Sequence, residues 1–127
     1  MDINVLSSKI IGAAIEVHKT LGPGLLESTY EECICHELRL QGLSFKRQES
    51  LPIEYKGKTL GCSYRLDIIV EDAIIVELKS CDRIEPIHRA QLLTYLKLSG
   101  RNLGLLLNFN VPAMREGIVR VVNELDE

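Results

Sequence analysis

Asp67, Glu77 and Lys79 have the residue types and spacing most capable of chemistry in this 127-residue chain. Two carboxylates brought side by side repel each other and call for a cation. Lys79 is one candidate, and a hard divalent ion such as Mg²⁺, which takes carboxylate, carbonyl and water oxygens, is the other. In Tyr64-Arg65-Leu66-Asp67-Ile68-Ile69-Val70, strict alternation assigns Tyr64, Leu66, Ile68 and Val70 to one face of a strand and Arg65, Asp67 and Ile69 to the other. In the next strand Ile74, Val76 and Leu78 share one face, and Ile75, Glu77 and Lys79 the other. A hairpin loop of Glu71-Asp72-Ala73 pairs Val70 with Ile74, and counting outward sets Asp67 directly opposite Glu77. Their Cβ atoms would lie roughly 4.5–5.5 Å apart. Lys79 follows about 7 Å along the same face, and the Leu78 carbonyl between them offers one more oxygen ligand. Alternation alone leaves two readings open: a cation centre, or a Glu77–Lys79 salt bridge on a solvated sheet face, where such pairs contribute little.

The elements that must position these residues follow from periodicity. Leu6, Ile10, Ala13, Ala14, Val17 and Leu21 recur at three- and four-residue steps and predict an amphipathic helix from Val5 to about Leu21, broken by Gly22-Pro23-Gly24. A second helix is expected from about Leu25 to Gln41, with Leu26, Tyr30, Cys33, Ile34 and Leu38 inward and Gly42 as its stop. Short segments punctuated by Pro52, Gly57 and Gly61 then read as an antiparallel meander: strands at about 45–49, 51–56, 59–62 joined loosely to 64–70, and 74–79. Pro86 suits the first turn of a third helix carrying Ile87, Ala90, Leu93 and Leu96. Leu103 to Leu107 reads as a strand covered on both faces, and Gly117 to Val122 as a last strand, with a helix as the alternative. The expectation is one α/β domain over residues 1–127, with a mixed sheet flanked by helices in the order ααβββ(β)αββ.

Composition narrows the function classes. At 46% hydrophobic and 26% charged the chain supports one ordinary core. It has no apolar run long enough to cross a bilayer and no export signal at Met1-Asp2-Ile3-Asn4, so no membrane partner and a cytoplasmic location are expected. Cys33, Cys35, Cys62 and Cys81 form no CxxC pair and are expected to be reduced and mostly buried. A net charge of −3 excludes a general basic field, so a phosphate partner must meet a local basic rim or a bound metal.

Asp67, followed after nine residues by Glu77-Leu78-Lys79, resembles the D…(D/E)xK signature of the PD-(D/E)xK nuclease superfamily. Gly24-Leu25-Leu26-Glu27-Ser28-Thr29-Tyr30 is similar to the GxxExxY motif of one small branch, and Gln91-Leu92-Leu93-Thr94-Tyr95 to the QxxxY element of RecB-like members. Leu66 stands where the superfamily usually has proline. The resemblance implies a restriction-endonuclease-like core and a Mg²⁺- or Mn²⁺-dependent phosphodiesterase acting on nucleic acid, DNA ahead of RNA. It assigns Asp67, Glu77, Lys79, Glu27 and Gln91 to catalysis, and Asp67, Glu77, Glu27 and the Leu78 carbonyl to the metal. Tyr95, His18, Tyr30 and Arg65 are accessory positions. Without the resemblance, Glu27 reads rather as a first-turn carboxylate complementing the helix dipole, and His18 as a helix-end cap or core residue. A core this small often works as a homodimer. The alternatives are a non-cleaving nucleic-acid- or protein-binding module on the same fold, and a structural subunit of a larger assembly.

Overall fold

In the computed structural model, which describes residues 1–124, the first apolar stripe forms helix α1 (Ile3–Leu21). Asp2 caps it, its Oδ1 accepting from the backbone N–H of Asn4 at 2.8 Å and of Val5 at 3.3 Å. Helix α2 (Glu27–Leu40) starts two residues later than expected, because Leu26 is its extended N-cap and is largely exposed. Leu21 is also partly exposed rather than inward.

Three strands follow: β1 (Phe45–Tyr55), β2 (Lys58–Val70) and β3 (Ile74–Lys79). The expected breaks at Ser50 and Ser63 are absent, so the segments at 45–49 and 51–56 are one strand, as are 59–62 and 64–70. β1 lies at the sheet edge, where a proline costs no ladder bond, and its register shifts between Pro52 and Glu54. Helix α3 (Pro86–Ser99) then carries the chain across to β4 (Leu103–Asn108), and a 3-10 turn (Met114–Gly117) leads into β5 (Ile118–Val122). The strands lie in the order β1-β2-β3-β4-β5, with β3 and β4 parallel and the other neighbours antiparallel. This is the expected α/β architecture with a mixed sheet, consistent with a restriction-endonuclease-like fold. Among the described residues, no helix is long and apolar enough to cross a membrane.

The sheet is buried on both faces. Ile68, Val70, Val76 and Leu78 pack under α1 and α2, while Ile69, Ile75 and Leu106 pack under α3. α3 presents Leu92, Tyr95 and Leu96 to the sheet, and leaves Ile87 and Ala90 outside. The expected stripe of Ile87, Ala90, Leu93 and Leu96 is thus rotated. The reason lies in β4, where Gly104 leaves room for Leu92: a Cβ there would stand 2.8 Å from a Leu92 methyl carbon.

Strict alternation also fails once on β2. Leu66 packs with Ile69 against α3, although Ile68 lies on the opposite side. The irregularity sits where the β1–β2 ladder passes from Arg47–Ile68 to Glu49–Leu66, with Gln48 between them in the left-handed region at φ 50°. Beyond this kink Leu51, Tyr64 and Leu66 all turn toward α3. Of the four cysteines only Cys35 is buried, and Cys62 is exposed.

Two glycine substitutions should act in opposite directions. A Cβ on Gly117 would lie 1.9 Å from the Asn108 carbonyl oxygen, so Gly117→Ala must displace backbone and should cost at least about 2 kcal/mol. Gly12, exposed within α1, has nothing within 4 Å of its would-be Cβ, so Gly12→Ala should stabilise by roughly 0.5–1 kcal/mol. Urea midpoints of both variants check the pair, and equal shifts would contradict the close approach at Gly117.

Candidate active site

The hairpin fixes the first two members. Ala73 N–H donates to the Val70 carbonyl at 2.9 Å, closing the loop that pairs Val70 with Ile74, Ile69 with Ile75 and Ile68 with Val76. At the next position the ladder gives way to side chains. The Asp67 N–H donates to Glu77 Oε2 at 3.0 Å, and the Leu78 N–H donates to Asp67 Oδ2 at 2.9 Å. Each carboxylate therefore accepts a backbone N–H from the opposite strand, and the two stand side by side where β2 and β3 part.

Their environment is not a solvated face. Glu77 is 7% exposed, and burial followed by the neighbouring Asp67 charge pushes its carboxyl up to about 9, with Lys79 pulling the other way. Among the described residues no ion pair joins Lys79 to Glu77. The exposed salt bridge left open by alternation is therefore not what forms. Tyr95, at the base of α3, feels the same charge: burial and then Glu77 raise its phenol above the usual value.

The kink opposite Asp67 is clasped from α2. Glu31, buried on that helix, accepts from Arg47 Nε and Nη2 at 3.0 and 2.8 Å and from Gln48 Nε2 at 2.7 Å. A buried carboxylate so fully bonded fixes β1 beside the site, while Arg47 also reaches Glu32 at 2.7 Å.

The other expected residues are spread around this pair. Glu27, at the start of α2, accepts from the Ser80 N–H at 3.3 Å, one residue beyond Lys79. It borders an open cleft of about 610 Å³ lined also by Gly24, Ser28, Ser80 and Asn110. Among the described residues no three acidic, histidine or cysteine side chains gather as a ligand cluster, so Glu27 does not join Asp67 and Glu77 in this arrangement. Gln91 is exposed on α3 and lines a groove of about 510 Å³ with Tyr64 and Tyr95, whose rings lie 5.8 Å apart. Arg65 is exposed on β2 opposite Ser50. His18 is buried, with Nε2 2.8 Å from the Val111 carbonyl and its ring 6.5 Å from Phe109, so it serves the packing of α1. Tyr30 is buried as well, its ring stacked on Phe109 at 4.2 Å.

Asn108 and Ser80 escaped the sequence reading. Asn108 Oδ1 accepts from the N–H groups of Cys81 and Asn110, both at 3.2 Å, and its Nδ2 donates to the Cys81 carbonyl at 2.9 Å. These bonds hold the chain that leaves Lys79. The signal was available: a lone polar residue closes the otherwise apolar run from Leu103, and parallel pairing sets Asn108 beside Lys79.

Residues 4–121 match the model of the PD-(D/E)XK nuclease superfamily. The chain belongs to that superfamily. No curated protein matches the chain. Among solved structures the chain is similar to the crystal structure of SSO0001, at 20% identity over 95% of this chain and 79% of the other, with a TM-score of 0.45. PD-(D/E)XK nucleases generally use divalent metal ions. The donor set here suits such an ion: paired oxygen acids, one of them buried and disfavoured as an anion, at a point where the strands diverge.

Proposed function

We propose that this superfamily member is a metal-dependent nuclease of the GxxExxY branch, hydrolysing phosphodiester bonds of nucleic acid, with DNA as its first substrate. The observation that carries the reading is the Asp67–Glu77 pair, held by reciprocal backbone bonds beside Lys79. Asp67, Glu77 and the Leu78 carbonyl would hold Mg²⁺ or Mn²⁺, with Glu27 completing the set by closing on the ion from the start of α2, and a bound ion supplies charge neutralisation at the phosphate and a more acidic water. Lys79, in no ion pair among the described residues, offers an ammonium to oxygens that gain charge as the phosphorus is attacked. Tyr95, whose phenol burial and then Glu77 push above its usual value, keeps its hydroxyl proton to donate while its oxygen can still accept. Gln91, on the groove wall, offers an amide to the strand that approaches the pair.

Incubating labelled single- and double-stranded DNA and RNA with the protein in Mn²⁺, in Mg²⁺ and in EDTA tests this reading. Cleavage in metal that stops in EDTA supports it. Retention of nucleic acid with no cleavage in either metal would instead make the chain a non-cleaving binding module.

A further inference from the structure

The link between α1 and α2, Gly22-Pro23-Gly24-Leu25-Leu26, has little of its own to hold it. Leu26 is 74% exposed and caps α2 without a side-chain bond. Yet Glu27, the first helical residue after this link, meets the end of β3. Something outside the link must fix its path.

Tyr30 does so with a single oxygen. Its hydroxyl donates to the Gly22 carbonyl at 2.6 Å and accepts from the Leu25 N–H at 3.1 Å, so both ends of the turn meet on one atom. The ring beneath it is fully buried and stacks on Phe109 with an interplanar angle of 9°. Phe109 in turn donates its N–H to the Lys79 carbonyl at 3.0 Å. From Leu25 the connection continues: the Ser80 hydroxyl donates to the Leu25 carbonyl at 2.8 Å, and the Ser80 N–H donates to Glu27. The bonds close a circuit from Phe109 through Tyr30, Leu25 and Ser80 to Glu27, and from Phe109 directly back to Lys79.

We infer that Tyr30 and Ser80 are positioning residues, a latch through which the Tyr30 hydroxyl and the Ser80 side chain fix Glu27 against the end of β3 that bears Lys79. The inference rests on the reading of Asp67, Glu77, Lys79 and Glu27 as one nuclease centre. The ring and the hydroxyl have separable tasks. Phenylalanine would fill the same volume and keep the Phe109 stack, so whatever Tyr30→Phe changes belongs to the two bonds at the oxygen.

The test uses the full chain and four variants: Tyr30→Phe, Ser80→Ala, Glu27→Gln and Tyr30→Phe/Glu27→Gln. If the latch acts through Glu27, Tyr30→Phe and Ser80→Ala each lower kcat for Mn²⁺-dependent cleavage roughly tenfold with KM little changed, and Tyr30→Phe adds no further loss on the Glu27→Gln background. A purely structural role gives a loss that multiplies with Glu27→Gln. Ile34→Val, a core change on the same helix, serves as a control that lowers the melting temperature without a change in kcat. Amide hydrogen exchange is read in the same proteins without metal or substrate. The latch requires faster exchange at Ser80 in Tyr30→Phe, and unchanged Ser80 protection in Tyr30→Phe overturns it. Should the wild type cut nothing, the nuclease reading falls while the exchange result still decides the latch.

Discussion

Lys79→Ala is expected to cleave nucleic acid at least about 100-fold more slowly than the wild type, with its melting temperature staying within about 2 °C. The small thermal effect follows from the contacts. The Lys79 backbone carbonyl, not its side chain, accepts from Phe109, and among the described residues the ammonium enters no ion pair whose loss would leave a charge stranded. The large kinetic effect follows from position. Lys79 is a basic side chain whose charge is felt by Glu77, so its removal takes away positive charge where the phosphate would gain negative charge. Lys79→Arg should recover part of the rate by restoring the charge with a different reach. Near-normal cleavage by a well-folded Lys79→Ala protein would remove Lys79 from the chemistry.

The second large effect concerns Glu77 and pH. Its carboxyl is pushed from an ordinary 4.5 up to about 9 in the folded protein, so between those values the folded state keeps a proton that the unfolded chain has released. Unfolding then releases a proton, and stability falls as pH rises across that window, by up to about 1.4 kcal/mol per pH unit. Below the unfolded value both states are protonated and nothing is lost; above the folded value the whole penalty is present. Glu77→Gln cannot ionise, so in EDTA its stability relative to wild type should rise steadily from about pH 5 to about pH 8. Saturating Mn²⁺ should flatten the wild-type slope and leave that of Glu77→Gln unaltered, with Mn²⁺ uptake releasing protons at neutral pH. Denaturant titrations at several pH values read this directly. A pH-independent difference between the two proteins would mean that Glu77 ionises normally in the fold.

Much of the pair's geometry was legible because it depended on counting. A three-residue hairpin loop sets register wherever both strands have a buried face, and Val70 opposite Ile74 carried the count to Asp67 and Glu77. What failed depended on tertiary contact. The facing of Leu66 turned on Gln48 adopting a left-handed backbone under the hold of Glu31, a contact between α2 and β1 that no local pattern announces. The exposed face of α3 was misassigned because Ile87 and Ala90 fit a helical period as well as Leu92 and Tyr95 do, and only Gly104 decides between them. Pro52 and Gly61 suggested short, punctuated segments, yet an edge strand and its outer hairpin tolerate both. Glu27 was placed correctly along the chain, but its separation from the carboxylate pair could not be read from helical phase.

The site also sits on a boundary in the strength of the fold. β2 pairs with β3 only from Ile68 to Val70, so before Asp67 its only strand partner is β1, and residues 53–63 at its tip are exposed or half-buried. β3 and β4, by contrast, are buried almost throughout. Two-stranded ribbons are marginal by themselves, so the tip opens locally at a lower free energy than the molecule unfolds. Its amides should exchange in native buffer long before those of Val76 or Leu105, which await global unfolding. Asp67 lies where these two regimes meet, one carboxylate at the root of the loose ribbon and the other, Glu77, anchored in the part that opens last.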